Sequence, residues 1–263
     1  MPQYQTLLYS ISNNVLTITL NRPEVYNALN EQMKKEINEA LKEAEKDPAV
    51  RSLVLRGAGD KAFCSGQDLK EHSGKETRRS LKESLEKNYN PMIRKMRTME
   101  KPIIGMINGV AAGAGLSIAL ACDIRIMSDR AKLVTVFSKI ALVPDSGMHW
   151  ILPRLVGMAK AFEYASLSND IPAQEAERVG LVNYVVPAAE LERTTMELAE
   201  RLAKGPTKTY GLIKRTLNKA LASDLDSLLE YEATIQEIAS LTEDHREGVT
   251  AFLEKRTAQF KGR

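Results

Sequence analysis

The chain has few cysteines and no long apolar run, so it offers little for disulfides, metal sites or membrane spans. Its 263 residues include only two cysteines, Cys64 and Cys122, too few for a disulfide framework or a metal-ligand cluster. Both have apolar neighbours, so we expect buried, unreactive thiols. No stretch approaches the ~20 apolar residues of a membrane span, and the first residues lack the basic-then-apolar pattern of a signal peptide. These absences predict a cytoplasmic protein with no metal site and no membrane contact.

The chain also has little net charge. It carries 37 basic and 34 acidic residues, a formal net charge of +3. This balance is too even to indicate nucleic-acid binding, although it is compatible with an anionic small molecule. With 43% hydrophobic and 27% charged residues, the composition is typical of a soluble globular protein with a full core.

Strand-like and helical patterns alternate over the first part of the chain. Strands are predicted at 15–20, 52–56, 103–107, 124–127 and 182–186, and helices at 28–46, 115–121, 158–167 and 173–179. Beyond residue 187 only helical patterns remain, at 189–203, 206–222, 225–241 and 244–255. We therefore predict an α/β core over 1–187 and a helical region over 188–263. The amphipathic helices of that region cover the core or pack on a partner subunit.

One stretch of the core is unusually charged. Residues 70–100 are dense in Lys, Arg and Glu, with helical spacing among Leu81, Leu85, Met92 and Met96. This pattern is typical both of a mobile cover over a neighbouring site and of a solvated surface helix. The sequence does not choose between the two.

Two short segments carry the chemistry. NGVAAGAG at 108–115 follows a buried strand and opens an apolar helix, an arrangement whose backbone N–H groups can hold an anion. LVPDSG at 142–147 places the carboxyl group of Asp145 in an apolar loop. Leu142, Val143 and Trp150 should raise the pKa of Asp145 by desolvation, which suits an acid–base role. The alternative is an Asp that only caps its turn.

The glycine-rich turn also invites a dinucleotide interpretation. The glycine spacing of GVAAGAG at 109–115 and a Tyr210–Lys214 pair resemble elements of short-chain dehydrogenases. Such a turn normally follows the first strand of a doubly wound sheet, whereas two strands precede it here. Tyr210 and Lys214 also lie in the helical region, so this interpretation is disfavoured.

A second resemblance covers nearly the whole chain. NRPEVYNAL at 21–29, AFCSGQDL at 62–69, KPIIGMINGVAAGAG at 101–115 and AERVGLV at 176–182 resemble the enoyl-CoA hydratase/isomerase, or crotonase, family in order and spacing. The resemblance implies an α/β fold with a ββα spiral core and a C-terminal helical trimerisation region. It implies a homotrimer or a dimer of trimers. It also implies an acyl-CoA thioester as substrate, so that coenzyme A enters with the substrate and no separate cofactor is needed.

The resemblance further implies an oxyanion hole. In the family, two backbone N–H groups hold the oxygen of a thioester enolate, and the matching positions here are Gln67 and Ala114. Hydratases of the family use two glutamates for proton transfer. Ser117 and Phe137 occupy those positions in this chain, which makes two-acid hydration doubtful and leaves Asp145.

An acid at the place of Asp145 resembles the enoyl-CoA isomerases and the ring-1,2-epoxyphenylacetyl-CoA isomerases of phenylacetate breakdown. FSKIALVPDSG at 137–147 is most similar to the latter, in which Gly and Thr are usual where this chain has Met148 and His149. We expect an isomerase in which Phe137 helps to exclude water. His149 could tune the acid or narrow the pocket, but a packing role is favoured, and Glu163 is expected to be structural.

Three alternatives remain open. The first is a hydratase in which Asp145 works with a bound water, and the second is nucleophilic attack by Asp145 on an aryl-CoA thioester. The third is RNA binding through a basic helix, for which the chain offers a short run: Arg94, Lys95, Arg97 and Lys101. Interleaved glutamates and the low net charge argue against the third.

The remaining substrate contacts follow from the same resemblance. Backbone near Asp68 and Leu69 would cradle the adenine, while the Asp68 side chain is expected to be structural. Lys255, or else Lys261, would approach the phosphates across a subunit boundary. The other expected lining residues are Ala62, Cys64, Ser65, Gly66, Gly113, Ser117 and Phe137.

Overall fold

The larger of two sheets forms the base of the fold. We analysed a computed structural model, which describes residues 3–72 and 80–263. The strands of this sheet are β1 (Leu7–Ser12), β2 (Val15–Leu20), β3 (Ser52–Gly57), β5 (Ile103–Ile107), β7 (Ile124–Ser128) and β10 (Tyr184–Val186), in the spatial order β1-β2-β3-β5-β7-β10. β1 and β2 pair antiparallel, and the remaining neighbours pair parallel. Because its central strands are covered on both faces, β5 consists entirely of buried residues.

A second, smaller sheet was not predicted from the sequence. It consists of β4 (Ala62–Cys64), β6 (Val110–Ala112), β8 (Lys132–Val134) and β9 (Ile171–Pro172), in that spatial order. The first three strands pair parallel and β9 pairs antiparallel. None has more than three residues, so none shows a hydrophobic period. This sheet brings the segments 62–69 and 108–115 side by side.

Helices cover the sheets and form the C-terminal region. They are α1 (Glu31–Lys46), α2 (Leu81–Ser84), α3 (Asn90–Thr98), α4 (Ala114–Ala121), α5 (Met148–Leu167), α6 (Ala173–Arg178), α7 (Leu191–Ala203), α8 (Thr207–Ala220), α9 (Leu225–Ser240) and α10 (Glu243–Leu253). A π-helical turn, Leu85–Tyr89, joins α2 to α3. Every residue of α4 is buried, as its uniformly apolar sequence predicts.

Several predicted boundaries were wrong for local reasons. Helix α1 begins at Glu31 rather than at residue 28, because the Asn30 side chain accepts a hydrogen bond from the Met33 N–H and caps the helix there. Helix α5 begins at Met148, ten residues before its predicted start. Pro153 and the non-helical Gly157 lie inside it and obscure its period in the sequence.

The charged stretch 70–100 is only partly described. The mobile cover suggested for this stretch includes residues 73–79, which lie outside the described residues. In the rest, Met92 and Met96 are buried against the core as predicted, whereas Leu81 is exposed.

Candidate active site

The backbone N–H of Gln67 is aimed away from its neighbouring chain segment. Leu29 and Gln67 form an isolated parallel β-bridge, in which the Leu29 N–H donates to the Gly66 carbonyl (2.8 Å) and the Asp68 N–H donates to the Leu29 carbonyl (3.1 Å). In a planar trans peptide the C=O and the following N–H point in opposite directions. The Gln67 N–H therefore points to the side opposite Leu29.

The N–H of Ala114 is also directed outward, at the start of α4. The Gly113 carbonyl accepts from the Ser117 N–H (3.0 Å) and so points along the helix axis. By the same peptide geometry, the Ala114 N–H points out of the helix N-terminus, where the helix dipole favours negative charge.

Gly66 brings these two segments into contact. A methyl group on Gly66 would lie 2.9 Å from the Ala112 carbonyl oxygen and 3.4 Å from the Ala114 nitrogen, and the φ of Gly66 is +94°. Only glycine accommodates both the conformation and the close approach. The structure therefore places the loop carrying Gln67 directly against the first turn of α4.

Ser117 ties the Asp145 loop to the same helix turn. Its buried hydroxyl donates to the Asp145 backbone carbonyl (3.0 Å), which also accepts from the Met148 N–H (3.0 Å). Ser117 lies one turn after Ala114, so the loop is anchored within one helical turn of the outward N–H. The Ser117 side chain thus positions the loop that holds Asp145.

The Asp145 carboxyl group has a raised pKa. Desolvation by burial is the main cause, and it is opposed by a hydrogen bond from the Ser146 hydroxyl to Oδ1 (2.9 Å) and by the nearby His149. The raised pKa of Asp145 agrees with the prediction, but the residues expected to shield the carboxyl group from water are not the buried ones. Leu142 and Val143 are 40% and 72% exposed and Trp150 is 37% exposed, whereas the residues next to Asp145 in the loop, Pro144 and Ser146, are buried.

Trp150 and His149 are oriented differently from the prediction. The guanidinium group of Arg154 lies over the Trp150 ring, with its Cζ atom 4.4 Å from the ring centroid. The Cζ atom of Arg97 lies 5.9 Å from the same centroid. His149 is exposed and is not a packing residue in this chain. Its influence on Asp145 is electrostatic, as the tuning alternative requires.

Phe137 lies beside the glycine-rich turn. It is 6% exposed, and a methyl group on Gly113 would lie 4.0 Å from its Cζ atom. Its apolar ring therefore borders the first turn of α4, where a hydratase would carry its second glutamate.

The other predicted lining residues fall into two groups. Ala62 and Cys64 are fully buried in β4, and burial raises the pKa of the Cys64 thiol to about 12, as expected of an unreactive cysteine. Ser65 donates its N–H to Tyr26 (3.1 Å). Asp68 is buried and paired with Arg22 (2.9 Å), which agrees with a structural side chain, whereas Leu69 is 60% exposed.

The predicted C-terminal lysines lie at the end of α10. Lys255 is exposed and follows the last turn of the helix. The backbone N–H of Lys261 donates to the buried Asp244 (2.6 Å), which holds the end of the chain against α10. Glu163 is exposed and paired with Lys160 (3.0 Å), in keeping with a structural role.

Two residues that the sequence analysis passed over contact Gln67. The Tyr89 hydroxyl donates to Gln67 Oε1 (2.6 Å), and Lys34 Nζ lies 3.3 Å from the same oxygen. Both side chains are buried. Lys34 reads as an exposed position of a charged helix, and Tyr89 belongs to a π-helical turn, so no helical period could have revealed either.

Residues 3–72 and 80–263 contain no group of three His, Cys, Asp or Glu side chains that could hold a metal ion. In the same residues, no helix is both long and apolar enough to span a membrane.

The chain is similar to proteins of one family over almost its whole length. A family model described as enoyl-CoA hydratase/isomerase matches residues 10–263. The chain is 43% identical over 259 residues to 1,2-epoxyphenylacetyl-CoA isomerase of Escherichia coli K12, covering 98% of each chain. It is 40% identical over 260 residues to a probable enoyl-CoA hydratase of Rhodobacter capsulatus, covering 99% of each. Among solved structures, a putative enoyl-CoA hydratase/isomerase of Mycobacterium abscessus superposes with a TM-score of 0.92 at 38% identity, covering 98% of this chain and all of that one.

Proposed function

The chain belongs to the enoyl-CoA hydratase/isomerase family and has its crotonase fold, and from this we propose that it is an isomerase of enoyl-CoA thioesters. Asp145 is the single acid–base group, and the N–H groups of Gln67 and Ala114 form the oxyanion hole. One observation carries the proposal: the Ser117 hydroxyl anchors the Asp145 loop to the helix turn that presents the Ala114 N–H.

The reaction begins with proton removal from the α-carbon. The Asp145 carboxylate takes this proton from a 3-enoyl-CoA, and the electrons move into the thioester to form a dienolate. The two outward N–H groups stabilise the developing charge on its oxygen, and each such donor is worth about 10²–10³ in rate. The protonated Asp145 then returns the proton at the γ-carbon, which gives the conjugated 2-enoyl-CoA.

The environment of Asp145 suits both steps. A carboxylate whose conjugate acid has an ordinary pKa is a weak base near neutral pH, so it removes a proton from carbon poorly. Burial raises the pKa of Asp145 and so brings its acid and base forms closer in energy at the working pH.

Isomerisation is favoured over hydration because hydration needs a second proton-transfer group. Phe137 is apolar, and the Ser117 hydroxyl is committed to the Asp145 carbonyl. A single carboxyl group that takes and returns one proton does not need a partner. The same site could open the ring epoxide of an aryl-CoA, the substrate type named for the Escherichia coli relative.

The substrate and assembly complete the proposal. Coenzyme A enters as part of the substrate, without a separate cofactor, and the exposed Lys255 approaches its phosphates from a neighbouring subunit. Helices α8 to α10 and the residues that cap the C-termini of α8 and α9 present large exposed apolar side chains that fit a trimer or a dimer of trimers: Leu217, Leu221, Leu229, Leu241, Phe252 and Leu253. Light scattering should then give three or six times the chain mass of 29.2 kDa, and a monomer would contradict the assembly.

The test compares wild-type protein with Asp145→Asn. A 3-enoyl-CoA in deuterated solvent should be converted to its conjugated isomer, with label entering the α- or γ-carbon only to the extent that the protonated Asp145 exchanges with solvent before it returns its proton. Asp145→Asn should bind acyl-CoA normally and lose about 10²–10⁴ in kcat, the usual contribution of a general acid–base group.

Two results would overturn the proposal. Full isomerase activity in Asp145→Asn would refute the assignment of Asp145. Hydration of crotonyl-CoA by the wild type faster than isomerisation of a 3-enoyl-CoA would instead establish the hydratase alternative.

A further inference from the structure

The side chain of the oxyanion-hole residue Gln67 is held by a buried polar cluster. Its Oε1 atom accepts from the Tyr89 hydroxyl (2.6 Å) and from Lys34 Nζ (3.3 Å). Its Nε2 atom donates to the Asp68 carbonyl (3.3 Å). The backbone N–H alone would serve the family's chemistry, so this cluster has a further consequence for the site.

The partners of Gln67 leave its amide one orientation. Lys34 Nζ can only donate, so it requires the amide oxygen, to which the Tyr89 hydroxyl also donates. The Asp68 carbonyl can only accept, so it requires the NH₂ group. Rotating the amide by 180° would set its NH₂ group against Lys34 Nζ and its oxygen against the Asp68 carbonyl, which fixes the side chain between α1, the π-helical turn and its own loop.

The cluster is buried and internally satisfied. Lys34 is 1% exposed and Tyr89 is 4% exposed. Lys34 Nζ also lies 3.2 Å from Ser84 Oγ, 3.3 Å from Glu31 Oε2 and 5.3 Å from the centroid of the Tyr89 ring. A charge and a hydroxyl in such a place are costly unless partnered, so their geometry is strongly determined.

The π-helical turn is what brings Tyr89 to Gln67. The i→i+5 pattern of Leu85–Tyr89 rotates the following side chains relative to an α-helix, and the turn ends with Asn88 and Tyr89 both buried. Such turns are rare and often occur at functional sites. Here the turn directs a hydroxyl at the residue that carries one of the two proposed oxyanion donors.

We propose that Tyr89, supported by Lys34, is a positioning residue that preorganises the Gln67 N–H of the oxyanion hole. This inference rests on the proposed function. The β-bridge to Leu29 holds the two peptides that flank Gln67, and the Tyr89 hydrogen bond holds its side chain. An oxyanion donor is effective because it does not have to reorganise during the reaction.

The experiment uses Tyr89→Phe, which removes the hydroxyl and keeps the ring over Lys34. The probe is butyryl-CoA labelled with ¹³C at the thioester carbonyl, whose saturated chain can be neither isomerised nor hydrated. Hydrogen bonding in the oxyanion hole lowers the carbonyl stretching frequency, which infrared difference spectroscopy measures on the bound thioester.

We expect the wild type to lower this frequency relative to the free thioester and Tyr89→Phe to lose part of the shift. The kcat for isomerisation should fall about tenfold with little change in KM, because a loosened donor affects the transition state most. The matched control is Tyr164→Phe. Its buried hydroxyl donates to Glu175 Oε1 (3.1 Å) on α6, and both the shift and kcat should stay at wild-type values.

A second variant keeps the inference testable should Tyr89→Phe fold poorly. Gln67→Met retains the backbone N–H and removes the whole amide, so it should lose at least as much of the shift as Tyr89→Phe. The double variant should lose no more than Gln67→Met alone, since Gln67→Met already removes the hydrogen bond that Tyr89→Phe removes.

The outcomes separate the two proposals. A full frequency shift and wild-type kcat in Tyr89→Phe or Gln67→Met would overturn the positioning role and leave the oxyanion hole intact. No frequency shift in the wild type would overturn the oxyanion hole itself, and the positioning role with it.

Discussion

Replacing Ser117 by alanine tests the link between the glycine-rich turn and the proposed acid. The substitution removes the hydroxyl that donates to the Asp145 carbonyl over 3.0 Å and leaves the backbone of α4 unchanged. Ser117 has no exposed surface, so water cannot replace the lost donor without entering the core.

The expected magnitudes follow from that geometry. A buried hydrogen bond contributes about 1 kcal/mol to stability, and the Asp145 carbonyl keeps its second donor, the Met148 N–H. The free energy of unfolding should therefore fall by about 1 kcal/mol, which lowers Tm by about 2–4 °C in a domain of this size. A displacement of ~1 Å in a catalytic group costs about 10² in rate, so kcat should fall about 10- to 100-fold.

The assay pairs thermal unfolding with isomerase kinetics and uses Ser52→Ala as the matched control. Ser52 is equally buried and donates to a backbone carbonyl, that of Ala199 on α7 (2.8 Å), but it touches no proposed site residue. Both variants should lose similar stability, and only Ser117→Ala should lose kcat. Equal losses of stability with wild-type kcat in both would refute the anchoring role of Ser117.

Other perturbations have equally definite outcomes. Burial raises the pKa of Asp145 above 3.8, and proton removal needs the carboxylate, so kcat/KM should rise with pH through that higher pKa. A pH profile of kcat/KM whose acidic limb lies at or below 3.8 would contradict this. Folding raises this pKa, so the contribution of Asp145 to stability falls as pH rises from 3.8 through the folded value, and Asp145→Asn should not lower Tm at pH 7. Gly66→Ala should abolish activity, since its methyl group would press on the Ala112 carbonyl. At Gly157 a methyl group would meet nothing within 4 Å, so Gly157→Ala should cost only about 1–3 kcal/mol of backbone strain. Measurements of kcat and Tm check both variants. Lys255→Ala should raise KM for acyl-CoA several-fold, and an unchanged KM would shift the assignment to Lys261.

Much of the fold was predictable because long elements carry a hydrophobic period. Strands β2, β3, β5 and β7, helix α4 and the C-terminal helices α7 to α10 lie within a few residues of their predicted bounds. Elements without a readable period were missed. Three-residue strands such as β4 and β6 are too short to show one, and the start of α5 is hidden by Pro153.

The residues of the site likewise divide into those that sequence motifs identified and those that they did not. Motifs identified Gln67, Ala114 and Asp145 as candidates, because their roles depend on backbone turns and on a single carboxyl group. Motifs did not reveal that Ser117 anchors the Asp145 loop, since in the sequence it is merely the absence of a glutamate. Tyr89 and Lys34 were missed because their contacts with Gln67 join residues far apart in the chain.

Residue types and their spacing were enough to predict the family, the fold class and the absence of acids at positions 117 and 137. How the candidate groups meet depends on the folded chain. The Gln67 N–H points opposite to the Gly66 carbonyl of the same peptide, and that carbonyl is directed by the hydrogen bond it accepts from the Leu29 N–H. The pKa of Asp145 likewise depends on how the folded chain excludes water from the carboxyl group, which no local stretch of sequence specifies.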